Sequence, residues 1–188
     1  MISAMVLTNW LREQRRASAP YTRFRVVDLE AVERPSNEVM EHLENMLSDA
    51  LFAPGFLRRV AEKLTWRGVY EKILARRASA SEKVKRGDFG EALFGAILVE
   101  FHDYLIPVPK LRFKVTPNQT LTGTDTLALR LTPEGEIGEV CFVESKLRTN
   151  PDRMVAVEGC AQLVQDYDVR LPDILEFIAQ RLHERNDT

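Results

Sequence analysis

The chain has 188 residues, 45% hydrophobic and 29% charged, which is enough apolar material for one compact domain, with or without a helical extension, and speaks against global disorder. A formal net charge of -2 argues against a coat protein that holds nucleic acid by charge alone, while leaving room for DNA contact through a local basic surface. Two cysteines, Cys141 and Cys160, and three scattered histidines, His42, His102 and His183, offer no disulfide framework, no zinc spacing and no histidine-led metal site.

Residues 1–16 have helical spacing and end in a basic cluster, Arg12, Arg15 and Arg16. Their apolar stretch is too short for a signal peptide, and no run of 18 apolar residues occurs anywhere. The expected setting is a reducing cytoplasm without membrane contact. Residues 21–33 read as a strand centred on Phe24, Val26 and Val27. Pro35-Ser36-Asn37 then opens an amphipathic helix over 38–51, with Val39, Met40, Leu43, Met46 and Leu47 on one side. Pro54-Gly55 closes it, and two helical stretches follow over 56–64 and 69–77. Lysines and arginines recur from Arg58 to Arg86. They make either a solvated helical face or a surface that meets phosphates.

Gly87 marks a change of character. A nearly all-apolar helix is predicted over 89–105, buried between layers, and Pro107 and Pro109 end it. Strands are predicted at 111–115, 124–131 and 137–147, and helices at 153–167 and 173–182. The order helix, three strands, helix implies an α/β core with an antiparallel hairpin at its centre. The expected organisation is an α-rich region with one strand over 1–84, suited to partner or DNA contact, followed by a core over 85–188.

The hairpin carries the chemistry. Alternation puts Asp125, Leu127, Leu129 and Leu131 on one face of its first strand, and Val140, Phe142, Glu144 and Lys146 on one face of its second. A two-residue loop at Glu134-Gly135 sets Pro133 opposite Glu136, hence Leu127 opposite Phe142 and Asp125 opposite Glu144. The two carboxylates are then cross-strand neighbours with Cβ atoms about 5 Å apart, and Lys146 lies a diagonal step beyond. A one-residue slip or a bulge separates them. Facing carboxylates repel, and a divalent metal, a shared proton or the ammonium of Lys146 can compensate. A metal suits the set best: Asp125, Glu144 and an adjacent backbone carbonyl, that of Ser145, form a hard oxygen site for Mg²⁺ or Mn²⁺. Lys146 then has a task, to hold an attacking water or to meet charge in a transition state. The simpler account is a solvent-facing strand end with a Glu/Lys pair.

Two helical residues join this set as candidates. Asp88 and Glu91 have capping-box spacing at the start of the apolar helix, which would explain Glu91 structurally. Glu91 is also the last acid before a helix expected to pack on the sheet carrying Asp125, where it could reach a metal's water shell. Gln162, on the helix after the hairpin, is either an ordinary polar position or a contact to a phosphate or base.

Glu91 on the first core helix, Asp125 in Gly123-Thr124-Asp125, and Glu144-Ser145-Lys146 on the following strand, with a helix after it, resemble the PD-(D/E)XK nuclease superfamily. More narrowly, the stretches RGDFGEALFGAILVEF, KLRFKVTPNQTLTGTD and VCFVESKL, within about 85–167, resemble the HamA-like nuclease subunits of Hachiman anti-phage defence. The resemblance implies a restriction-endonuclease-like core: a mixed sheet with a central antiparallel hairpin, flanked by helices. It also implies a metal-dependent DNA endonuclease restrained by a helicase partner, HamB. Asp125 and Glu144 would ligate Mg²⁺ or Mn²⁺, Lys146 would position the water and Glu91 would be an auxiliary acid. The contrasting reading is a non-catalytic regulatory subunit that keeps the fold and binds DNA or the helicase. A complete Asp, Glu and Lys set favours the enzyme.

Overall fold

The structure is a computed structural model that describes residues 6–15, 27–53, 56, 59, 62, 71–73, 75, 76, 80–119, 124–150, 152 and 154–186. The chain is mixed α/β and divides into two compact units, residues 1–45 and 46–188.

In the first unit, helix α1 (Val6–Trp10) runs directly into strand β1 (Leu11–Arg15), which pairs antiparallel with β2 (Val27–Ala31). The helix expected over 1–16 therefore stops at Trp10. Pairing wins there over local helical spacing: every residue of Leu11–Arg15 has a partner on β2. Two bonds to the strand's exit reinforce it, Val32 N–H to the Trp10 carbonyl at 2.9 Å and Trp10 Nε1–H to the Glu33 carbonyl at 2.9 Å. The predicted strand over 21–33 survives as β2, with Phe24 and Val26 outside the described residues. Helix α2 (Asn37–Leu51) follows as expected. Ser36 caps it, accepting Val39 N–H on Oγ at 3.3 Å and Met40 N–H on its carbonyl at 2.9 Å. Val39 and Leu43, one turn apart, are its buried residues, while Met40 is exposed.

In the second unit, the described residues within 56–64 and 69–77 are helical; the rest of those two predicted helices lies outside the described residues. Helix α3 (Glu82–His102) begins well before residue 89. Its cap is Ser81, whose Oγ accepts Val84 N–H at 3.4 Å. Asp88 is therefore not a cap, and the capping-box account of Glu91 falls. At the other end, Asp103 adopts a left-handed conformation (φ 55°, ψ 32°), and its N–H and that of Tyr104 both turn back to the Leu98 carbonyl.

As expected, α3 is buried on several sides: Gly90, Ala92, Gly95, Leu98 and Glu100 are buried and are spread around its axis, while Phe94 and Val99 are 40% and 39% exposed. A Cβ on Gly95 would lie 2.8 Å from Ile106 Cδ1, and one on Gly90 would lie 3.2 Å from Leu147 Cβ. The helix gains its contact by close backbone approach rather than by large side chains.

Where a strand was expected over 111–115, the chain forms a 3-10 helix (Lys110–Phe113) that buries Leu111. The hairpin is present as β3 (Thr126–Leu131) and β4 (Ile137–Val143). Leu105 adds a single bridge to Leu129, with two hydrogen bonds of 2.7 and 2.8 Å. Among the described residues, sheet pairing is antiparallel throughout. Leu98, Tyr104, Ala128 and Val143 form the core between α3 and the hairpin, with Ile106 and Cys141 packed against it, so Cys141 serves as a small apolar filler. The last two predicted helices are one, α4 (Val155–Asn186), with Pro172 inside it. Tyr167 meets Phe142 edge-on at 5.9 Å, and Phe177 meets Phe113 edge-on at 5.2 Å.

The register needs two corrections that cancel. The turn is longer than two residues: Thr132 N–H bonds the Glu136 carbonyl at 2.8 Å, and Gly135 N–H bonds the Thr132 carbonyl at 2.9 Å. Pro133, Glu134 and Gly135 form the loop, and Gly135 takes φ 88°, which only glycine adopts without strain. That alone would shift every pair by one. A bulge between Arg130 and Leu131 undoes the shift, because Leu131 faces Ile137 while Arg130 faces Glu139, leaving Gly138 without a partner. A Cβ on Gly138 would lie 3.0 Å from Thr132 Cγ2, so the bulge is built on glycine. Beyond it, Leu127 faces Phe142 as expected.

Candidate functional site

The ladder ends at Thr126 opposite Val143, one step before Asp125 and Glu144 would face each other. Asp125 N–H instead donates to the Val143 carbonyl at 3.0 Å. Its carboxylate Oδ2 accepts two bonds from Ser145, from N–H at 2.7 Å and from Oγ–H at 2.8 Å. Glu144 Oε1 accepts from the Lys146 ammonium, and the Glu144 side chain is only 7% exposed. Leaving the ladder gives each carboxylate its own donor, where strict pairing would set two anions face to face.

Two helices hold this segment. Gly90 of α3 approaches Leu147 and the Ser145 hydroxyl, and Gly159 of α4 comes within 3.9 Å of Lys146 Cγ, measured from where a Cβ would stand. Glu91, Asp125, Glu144, Ser145 and Lys146 consequently line one cavity of about 340 Å³. The spacing argument thus brings its four proposed catalytic residues to one place. Gln162, on α4, is partly buried and does not line this cavity.

Residues that sequence reasoning passed over complete the lining, chiefly Asp88, Lys110 and Lys114. Lys114 forms an ion pair with Asp88, with 5% of the lysine side chain exposed. Lys110 Nζ–H donates to the Thr124 carbonyl at 2.8 Å. Lys110 and Lys114 bound an alternation of cations, Lys110-Leu111-Arg112-Phe113-Lys114, that has the period of a strand. Burial pushes the Glu91 carboxyl up to about 8, and the negative charges of Asp125 and Asp88 push the same way against Lys110 and Lys114. Glu91 therefore keeps its proton at neutral pH.

The donor chemistry suits a hard cation. Among the described residues no three acidic, histidine or cysteine side chains converge into a ready-made metal cage. Mg²⁺, however, commonly takes one or two carboxylates and fills its remaining positions with water and substrate oxygens. Asp125 and Glu144, which line the same cavity, are two carboxylates of that kind.

A mixed α/β chain with two carboxylates and a lysine gathered at the end of a hairpin defines a class, an acid-and-lysine site beneath a helix-flanked sheet. A family model described as HamA matches residues 5–188, and the chain belongs to the HamA family, a HamA-like component of Hachiman anti-phage defence. The match reaches well before the stretch 85–167 whose motifs carried the resemblance. No curated protein and no solved structure matches the chain. Among the described residues no helix is long and apolar enough to cross a membrane.

Proposed function

We propose that this chain is a metal-dependent DNA nuclease subunit of a restriction-endonuclease-like kind, acting in anti-phage defence under the control of a HamB-like helicase in the cytoplasm. One observation carries the nuclease reading: Glu91 in α3, Asp125 just before β3, and Glu144 and Lys146 just after β4 line a single cavity. The helicase partnership rests on membership of the HamA family.

In this reading Asp125, Glu144 and the Ser145 carbonyl hold Mg²⁺ or Mn²⁺. A bound divalent cation supplies Lewis acidity, easing deprotonation of water and offsetting charge on the phosphate. Ser145 fixes the orientation of Asp125 through two hydrogen bonds, so the carboxylate is aimed before substrate arrives. Lys146, held by Glu144, presents its ammonium to the attacking water or to negative charge developing on the phosphate. Burial and the charges of Asp125 and Asp88 raise the Glu91 carboxyl, and it would be the auxiliary acid of the cavity.

The full chain, alone and with its helicase, is expected to nick or degrade plasmid DNA in Mg²⁺ or Mn²⁺ and to stop in EDTA. Glu144→Ala and Lys146→Ala should each slow cutting by about 100-fold or more, with thermal melting confirming that each variant folds. Cutting at the parental rate by both variants would falsify the assignment. The non-catalytic reading draws on one feature, the lack of a three-donor cluster among the described residues. It predicts DNA or helicase binding with no metal-dependent cleavage by the parent chain.

A further inference from the structure

A second cavity, of about 750 Å³, adjoins the first and shares Lys114 with it. Three phenylalanines and three arginines characterise it: Phe52, Phe56 and Phe113 with Arg59, Arg76 and Arg112. Among the described residues no acidic side chain lines it. Phe52 and Phe56 lie nearly parallel, 7° apart with centroids at 6.3 Å, and Phe56 is 39% exposed. Arg112 is fixed by two bonds to the Asp49 carbonyl, 2.9 and 2.6 Å, and Arg76 donates to the Val115 carbonyl at 3.0 Å. Among the described residues the groove is lined by arginines and phenylalanines, and it lies next to the cavity that holds Asp125 and Glu144.

Cations alone would suit any polyanion. The exposed Phe56 ring adds a requirement, because in a duplex the base faces are covered by neighbouring bases and cannot reach a protein side chain. Only an unpaired strand can lay phosphates on arginines and bases on phenylalanines together. We propose that this groove receives a single, unpaired DNA strand and delivers it past Lys114 to the cavity of Asp125 and Glu144. The destination rests on the nuclease reading given above; the binding does not. The 3-10 segment divides the work between the two cavities: Lys110 and Leu111 line the first, Arg112 and Phe113 line the groove, and Lys114 lines both.

Fluorescence anisotropy of the full chain in EDTA tests this, using a labelled oligo(dT) about 20 nucleotides long and a blunt duplex of equal length. The single strand is expected to bind more tightly than the duplex. Phe56→Ala should weaken strand binding about fivefold or more with an unchanged salt slope, and Phe56→Trp should retain it. Arg59→Gln and Arg76→Gln should each lower the slope of log affinity against log salt by about 0.7. Equal affinity for strand and duplex overturns the proposal, and so does strand binding indifferent to all these variants. Loss of helicase capture with strand binding intact would also overturn it, assigning the groove to a protein partner. Plasmid cleavage in Mg²⁺ is read separately. Strand binding with these dependencies but no cleavage sinks the nuclease reading alone. Cleavage with strand binding that ignores the variants sinks the groove alone.

Discussion

Glu91 shows how one side chain changes meaning with its surroundings. At a helix start it would be a capping residue, exposed and ionised. Inside α3, above Asp125, burial and neighbouring negative charge hold its carboxyl near 8, against a usual 4.5. The folded protein then binds a proton that the unfolded chain has released between those two values. Its contribution to stability is complete below pH 4.5 and is lost as pH rises through 8. Glu91→Gln, which mimics the protonated form, is expected to flatten that dependence. Above the window it should be more stable than the parent, by a few kcal/mol at most. Urea unfolding of both proteins below, within and above the window checks this, and parallel pH profiles would contradict it.

At the scale of elements, the sequence was most legible where one local signal stood unopposed. Pro35-Ser36 marked the start of α2 correctly, and alternation marked both strands of the hairpin. It misled where two signals competed. Gly87-Asp88 imitated a helix start, whereas the working cap, Ser81, lies a full two turns earlier. Leu111, Phe113 and Val115 imitate a strand's period of two, yet the segment coils into a 3-10 turn. The facing of the paired residues was legible because the bulge at Gly138 offsets the longer turn, but Asp125, Glu144 and Lys146 lie just beyond the ladder, where alternation no longer reports a face. Lys110, Lys114 and Asp88 were not, since their convergence depends on a coil and a cap that periodicity does not report. The packed glycines of α3 carry a prediction of their own. Gly95→Val would drive side-chain atoms into Ile106 and should destabilise the protein by about 1–3 kcal/mol. Denaturant melts measure this, and an unchanged midpoint would mean that α3 does not approach Ile106 this closely.

For the molecule as a whole, a net charge of -2 conceals local groupings: carboxylates and lysines gather together at the hairpin's end, and arginines line the neighbouring groove. Membership of the HamA family spans both regions. Within the second unit, α4 connects them. Before Pro172 its Tyr167 rests on Phe142 of the hairpin; after it, Phe177 rests on Phe113 of the 3-10 helix. Proline has no N–H to close on the carbonyl four residues earlier, so the helical ladder is interrupted between these two anchors. In terms of opening kinetics, the helix is two short cooperative segments joined end to end. The amides of 175–186 are expected to exchange with solvent deuterium as one group and those of 158–168 as another, each at its own rate. Pro172→Ala should merge the two rates into one. The segment that backs Phe113 can thus open and reclose while the earlier one keeps its hold on the hairpin that Asp125, Glu144 and Lys146 flank.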